Sequence, residues 1–322
     1  MAVGMNLSNA VLGTMTFGPQ VDSAEALRMI EVFWESGGLE IDTAYVYNEG
    51  ESEKILGKAL EGFPTGTFRI ATKVNPKVSG KLDRESITMQ LEESLRRLRL
   101  ESVDVLYLHF PDPITPIEET LKACAELHHA GKFKELGLSN FPAWMVTNIW
   151  HVCGVRDWVR PSVYQGLYNA LSRKVEPELL PAMRHLGMRL YTYNPLAGGL
   201  LTGKHTSYRQ EPTEGRFSLR ESYRNRYWKE SFFEAVEVFV STCREEDIAP
   251  AAAALRWVVH HSHLDTNQGD RVIVGASREN QLNQNLNALR SPALPESLVA
   301  ALDAAWEHAR SDSPEYFRTH LG

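Results

Sequence analysis

No apolar run in the chain approaches the roughly 18 residues that a membrane-spanning helix needs. The opening MAVGMNLSNA has neither the basic segment nor the apolar core of a secretory leader. A membrane partner is therefore not expected. Cysteine is scarce: Cys124, Cys153 and Cys243 are odd in number, widely spaced and each set in a helix-like stretch. That usage points to buried thiols in a reducing, cytoplasmic compartment and away from a disulfide framework. Positive charge is in deficit, with a formal net charge of −7, so nucleic acid is not an expected partner. Histidines cluster at 128–129 and in HHSH (260–263), yet neither cluster has a carboxylate or cysteine at zinc-ligand spacing, and no metal is expected. Also missing is the G-x-G-x-x-G turn of a dinucleotide-binding sheet; the first strand-like run continues instead as GTMTFGPQ.

What the chain does have is 322 residues with 43% hydrophobic content, enough for one large α/β core. Short runs rich in β-branched and aromatic residues recur at 11–17, 39–44, 68–74, 103–110, 133–140, 162–168, 189–195 and 271–277. Between them lie stretches of helical spacing, such as Ala26, Leu27, Ile30 and Phe33–Trp34, or Ile87, Leu91, Leu95 and Leu98. Asp22, Asp83, Thr115 before Pro116, and Asn140 before Pro142 are their expected N-terminal caps. Eight strand–helix units predict a closed (β/α)8 TIM barrel, a single domain over 1–322, with a doubly wound sheet as the competing arrangement. One interval breaks the rhythm. From Leu196 to about Glu230 the chain is far longer than a usual strand-to-helix connection, which predicts a functional lid after strand 7. An extra C-terminal helix, about 295–310, precedes the tail SDSPEYFRTHLG.

In such a barrel the polar residues at the C-terminal strand ends converge on one mouth. Those residues are Asp42 and nearby Tyr47, Lys73, His109, Ser139–Asn140, Gln165 and Tyr193–Asn194. A tyrosine is a sluggish acid at neutral pH, and an ammonium beside it is expected to lower its pKa. Lys73 would supply that charge, Asp42 would hold Lys73, and His109 would orient a carbonyl oxygen. Taken singly, each of these residues is more simply a cap or a solvated charge; the argument rests on their joint placement. Tyr45 and Tyr47 both follow Asp42, and spacing does not choose between them.

The stretches LGTMTFG, EIDTAYVYNEGESEKILG, TKVNP, VDVLYLHFPD, GKFKELGLSNF, VYQGLYNA, NPLAGGLLTGK, YRNRYWKE, ENQLNQNL and PEYFR resemble the aldo-keto reductase superfamily over nearly the whole chain. Within it they look like the aflatoxin-aldehyde and succinic-semialdehyde reductases. The resemblance implies an NADPH-dependent reductase of aldehydes and dicarbonyls, with Asp42, Tyr47, Lys73 and His109 as its catalytic group, and so selects Tyr47 over Tyr45. It further implies cofactor contacts from Thr14, Met15 and Asp42, and a nicotinamide carboxamide against Ser139, Asn140 and Gln165 with Tyr193 on the ring. The segment NPLAGGLLTGK is similar to a pyrophosphate strap, with Asn194, Pro195, Leu196, Gly198 and Lys204; it lacks the full P-loop pattern. Ser277, Arg278, Gln281 and Asn285 would hold the adenosine 2′-phosphate and adenine, and His109, Tyr223, Arg226 and Arg318 would face the substrate. By analogy with related reductases a homodimer is expected. A more distant resemblance to potassium-channel β subunits gives a second reading, a nicotinamide-binding regulatory module.

Overall fold

Eight short, buried runs form the strands β1 (Ala10–Gly13), β2 (Glu40–Asp42), β3 (Arg69–Val74), β4 (Val103–Leu108), β5 (Phe133–Ser139), β6 (Pro161–Leu167), β7 (Arg189–Tyr193) and β8 (Arg271–Val274) in a computed structural model, which describes residues 4–213 and 215–318. Each strand pairs in parallel with its neighbour in sequence, and β1 closes on β8. The expected (β/α)8 barrel is the fold, and the doubly wound alternative is excluded by this closure. Parallel strands need long crossovers, and helices supply them: α1 (Ser23–Glu35), α2 (Glu51–Leu60), α3 (Arg84–Leu98), α4 (Ile117–His129), α5 (Ala143–Val155) and α6 (Leu179–His185).

The helices follow their sequence signals with instructive departures. Asp22 and Asp83 cap α1 and α3, accepting from the backbone N–H groups of Glu25 and Ser86 at 2.9 Å each. The caps expected from Thr115 and Asn140 are absent. There Pro116 and Pro142 themselves occupy the cap position, and neither helix has a side-chain cap bond; the fixed φ of proline sets the entry angle instead. In α3 the four expected apolar residues are all buried, whereas α1 buries Met29 in place of Leu27 and leaves Trp34 exposed.

The stretch expected as a lid is built of short pieces: a 3₁₀ turn at Ala197–Thr202, then α7 (Arg216–Leu219) and α8 (Glu221–Tyr227). After them α9 (Glu230–Glu245) and α10 (Pro250–His260) complete the crossover to β8, followed by α11 (Glu279–Arg290) and the extra helix α12 (Glu296–Ala309), which packs on α9. Residue 214 of the lid and residues 319–322 of the tail lie outside the described residues.

Two side-chain layers fill the molecule. Between strands and helices lies the main apolar core, and inside the barrel sit Val11, Ala71, Val105, Tyr107, Val163, Tyr191 and Ile273. Gly137 makes room for one of these, since a Cβ there would lie 2.3 Å from the Tyr107 ring. The N-terminal floor of the barrel is an ion network in which Arg69 bridges Glu135 at 2.7 Å and Glu40 at 3.3 Å. All three cysteines are free and buried, and burial pushes the thiols of Cys124 and Cys243 up to about 12. The histidines of HHSH tie helix ends together: the imidazole Nε2 of His260 lies 2.8 Å from the Ser291 carbonyl, and that of His261 accepts from the Leu294 N–H at 3.0 Å.

Candidate active site

β2 ends at Asp42, and the loop beyond it must turn sharply to start α2. It does so through three successive left-handed residues, Asn48, Glu49 and Gly50 (φ 49, 57 and 90°). Arg97 of α3 braces the turn, donating to the Tyr45 carbonyl at 3.0 Å and to Glu53 at 3.1 Å while its guanidinium covers the Tyr45 ring at 4.3 Å. Tyr45 is thereby held against α3, its hydroxyl 3.8 Å from the Met89 sulfur. Tyr47 lines the cavity at the barrel mouth instead. The ambiguity between the two tyrosines is a matter of side-chain direction, and this turn decides it.

Lys73, near the end of β3, is fully buried. Its ammonium donates to Asp42 Oδ2 at 2.6 Å, to the Thr43 carbonyl at 2.7 Å and to the Tyr47 hydroxyl at 3.3 Å, using all three of its protons. Burial pulls the amine below its usual pKa and Asp42 opposes that fall. The other Asp42 oxygen accepts from Gln165 Nε2 at 2.8 Å. The expected lowering of the Tyr47 pKa is not found: burial raises the phenol well above its ordinary value, and Asp42 adds to the rise. Desolvation of the phenolate outweighs the ammonium 3.3 Å away. Tyr47 is accordingly a fully protonated phenol with a cation beside it.

His109, just beyond β4, meets Tyr47 edge-on with ring centroids 5.9 Å apart and stacks on Phe110 at 4.7 Å. Burial, then the charges of Lys73, Arg318 and Lys77, hold its pKa well below the usual value, so the ring is neutral. Its carbonyl accepts from Asn140 Nδ2 at 2.9 Å. That amide also donates to Ser139 Oγ at 2.9 Å, while its oxygen accepts from the Tyr193 hydroxyl at 2.7 Å. The left-handed backbone of Asn140 (φ 63°) aims this link across the mouth.

These groups surround a cavity of about 310 Å³ that runs from the tetrad toward Gly275 and Asn285. Met15, Asp42, Tyr47, His109, Ser139, Asn140, Gln165, Tyr193, Asn194, Pro195, Leu196, Gly198, Tyr223, Arg226, Asn285 and Arg318, all expected site residues, line it together. Four others do not. Thr14 is fully buried, its hydroxyl engaged with the Asp42 carbonyl at 3.0 Å and with Ser52 at 2.9 Å, so its side chain supports the strand end. Lys204 is exposed outside the lining. Ser277 and Gln281 bond each other, Oγ to Oε1 at 2.9 Å, at the start of α11. Lys73 lies beneath the lining, reaching it through Tyr47. Arg278 is exposed at the cap position of α11, and no carboxylate pairs with it among the described residues.

The donor set suits a nicotinamide cofactor. The Ser139 hydroxyl accepts from Asn140 and keeps its own proton to give, and Gln165 donates to Asp42 and keeps its oxygen to accept. A carboxamide offers the matching acceptor and donor. Asn194, left-handed at φ 58°, leaves its buried Nδ2 without a partner among the described residues, a donor in need of an acceptor at the cavity wall.

Sequence reasoning missed several wall residues. Asn48 donates to the carbonyls of Met15 at 3.0 Å and Phe17 at 2.7 Å and accepts from Arg220 of the lid at 2.7 Å, stitching three walls together. Asn48 braces the wall from behind, whereas Asn75, Phe110 and Arg216 line the cavity themselves. Asn48 and Asn75 carry only the signal of turn asparagines in YNEG and VNP, which says nothing of what they reach across the barrel. In the lid, Arg224 pairs with Glu211 and Glu315 with Lys174. Arg226 and Arg318 have no carboxylate partner among the described residues; they lie over the rings of Tyr223 and Phe110, each at 5.4 Å.

Comparison with known proteins agrees with this geometry. The pattern of the "Aldo/keto reductase family" matches residues 10–307. "Aflatoxin B1 aldehyde reductase member 2" of Mus musculus is 47% identical over 319 residues, covering 96% of this chain and 87% of its own. Its Homo sapiens namesake is 46% identical over 320 residues, covering 96% and 89%. "Aldo-keto reductase family 7 member A3" of Homo sapiens is 45% identical over 321 residues, 96% of either chain. With a closed parallel barrel, a buried lysine–aspartate pair touching a tyrosine at its mouth and near full-length relatives of this kind, the chain belongs to the aldo/keto reductase family and is an oxidoreductase.

Proposed function

We propose that the protein reduces aldehydes and dicarbonyls to alcohols with NADPH, Tyr47 giving the proton. The observation that carries this reading is the contact of a protonated, half-buried phenol with the Lys73 ammonium at 3.3 Å, in a cavity that also holds a carboxamide-matching pair, Ser139 and Gln165. NADPH, when bound, supplies the hydride for the carbonyl carbon. The protein's own part is to manage the oxygen. Tyr47 stands ready as donor, and its high pKa keeps it protonated until that oxygen gains negative charge. Lys73 then faces the phenolate left behind, which it stabilises as an adjacent cation. His109, neutral, is a hydrogen-bond donor for the same oxygen. Asp42 holds Lys73 in place and keeps its buried charge compensated. Consumption of NADPH with a panel of small aldehydes tests the reading; cofactor binding with no aldehyde turned over would favour the regulatory module instead.

Preference for NADPH over NADH is supported by Arg278, an exposed guanidinium without an ion-pair partner among the described residues at the start of α11. Arg278→Ala is expected to weaken NADPH binding about tenfold or more and to leave NADH nearly unchanged, because only the 2′-phosphate offers a charge-assisted bond. Titration by cofactor fluorescence checks this, and equal losses for both cofactors would exclude the contact.

The substrate class follows from Arg226 and Arg318. Two guanidiniums that face the cavity without carboxylate partners favour an aldehyde bearing an anionic or second polar group, such as succinic semialdehyde, over a plain alkyl aldehyde. The same reading admits dialdehydes of the kind named for the aflatoxin aldehyde reductases. Arg226→Ala and Arg318→Ala should each lower kcat/KM for succinic semialdehyde by about ten- to a hundredfold, the value of a bond to a charged group. Butanal should lose far less. Similar losses on both aldehydes would mean that the arginines serve the lid.

A further inference from the structure

Asn75, two residues beyond Lys73, caps the single 3₁₀ turn Pro76–Val78, and its Oδ1 accepts from the Lys77 N–H at 2.9 Å. A backbone N–H must meet an acceptor, so this bond settles which end of the amide is oxygen. The amino end, Nδ2, then faces His109 Nδ1 at 3.2 Å in a buried contact. The backbone of Asn75 has no freedom to turn away. Its N–H donates to Gln90 Oε1 at 2.8 Å and its carbonyl accepts from Gln90 Nε2 at 3.1 Å, with Ser86 Oγ fixing the same Gln90 amide at 3.0 Å.

An NH₂ group has only protons to offer, so the ring nitrogen opposite it has to be the one carrying a lone pair. We infer that Asn75 is a positioning residue that fixes His109 as the Nε2–H tautomer, leaving that N–H as the donor for a substrate carbonyl oxygen. The inference rests on the reductase reading for its consequence, though not for its geometry. His109 Nε2 has no protein partner among the described residues, and the ring is held in place by Phe110 on one face and by Tyr47 edge-on. The charged groups around the ring act in the same direction. Lys73 of β3, Lys77 of the turn and Arg318 of the tail are all cationic and disfavour an imidazolium, while Tyr47 is a neutral phenol.

The test separates tautomer control from simple packing. In the full-length chain labelled with ¹⁵N-histidine, the His109 signal, identified by its loss in His109→Gln, should report a neutral ring protonated on Nε2 from about pH 5.5 to about pH 8, a window spanning the ordinary histidine value. Asn75→Asp keeps an acceptor for Lys77 but puts a second acceptor opposite Nδ1. The proton should move to Nδ1, and kcat/KM for an aldehyde should fall about a hundredfold at about pH 8, the scale of a general acid–base contribution, with NADPH affinity retained. Activity of this variant should recover as pH falls, because an imidazolium carries protons on both nitrogens. Asn75→Ala removes cap and packing without imposing an acceptor, and should cost less than tenfold and add no ionisation. A wild-type ring found charged or protonated on Nδ1 at neutral pH would overturn the inference. So would an Asp variant no worse than the Ala variant with an unshifted pH profile. If the wild type reduces no aldehyde at all, the reductase reading fails, and the ¹⁵N signal still decides the hold of Asn75 on the ring.

Discussion

Tyr47→Phe is expected to lower kcat by about 10²–10⁴-fold on aldehydes that need a proton in the transition state, while NADPH affinity stays close to wild type. Removal of one hydroxyl leaves the ring, its edge-on contact with His109 and the cavity wall intact. What disappears is the only phenol among the described residues in hydrogen-bond contact with the Lys73 ammonium. The direction of the Tyr47 pKa sharpens this prediction. Because burial raises it, the phenol is protonated across the whole physiological range, and loss of activity at high pH should not begin near the ordinary tyrosine value of about 10. Single-turnover measurement of the chemical step, alongside cofactor titration, checks both halves. A variant that turns over at wild-type rate would remove Tyr47 from the mechanism.

Lys73→Met should be as severe, and for two separable reasons. Asp42 loses its 2.6 Å partner and stays buried, with Gln165 Nε2 as its remaining side-chain donor. Breaking a buried pair by removing one member typically costs about 3–5 kcal/mol of stability. The phenolate of Tyr47 also loses its cation, which should depress turnover independently. The double substitution Lys73→Met with Asp42→Asn distinguishes the two, since a neutral amide restores much of the stability without restoring the charge. Expected is a denaturation midpoint near wild type with kcat still reduced by about 10²-fold or more. Recovery of both together would show that Lys73 acts only by holding the fold.

How far the chain could be read before its fold was known depended on whether a property was local. Strand runs such as RIATKV and VDVLYL, and caps such as Asp22 and Asp83, express short-range preferences, and the barrel follows from counting them. The strand-end positions of Asp42, Lys73 and His109 follow in turn, because a closed parallel barrel brings all its C-terminal strand ends to one mouth. The choice of Tyr47 over Tyr45 did not follow from spacing, and only the family resemblance made it. Both lie in one loop, and their directions are set by three left-handed residues and by Arg97, which arrives from a helix about fifty positions away. For the same reason Thr14, an expected cofactor contact, turned out to be occupied with Asp42 and Ser52.

Sequence by itself therefore determined the architecture and the chemical types assembled at the mouth. Tertiary structure alone decided their states: that Tyr47 is held protonated, that His109 is neutral with Nδ1 facing an amide, and that Arg226 and Arg318 lack carboxylate partners among the described residues. The physical reason is that desolvation and hydrogen-bond partnership depend on every wall of the cavity at once. Those walls come from residues far apart in the chain, and no local pattern records which of them will meet.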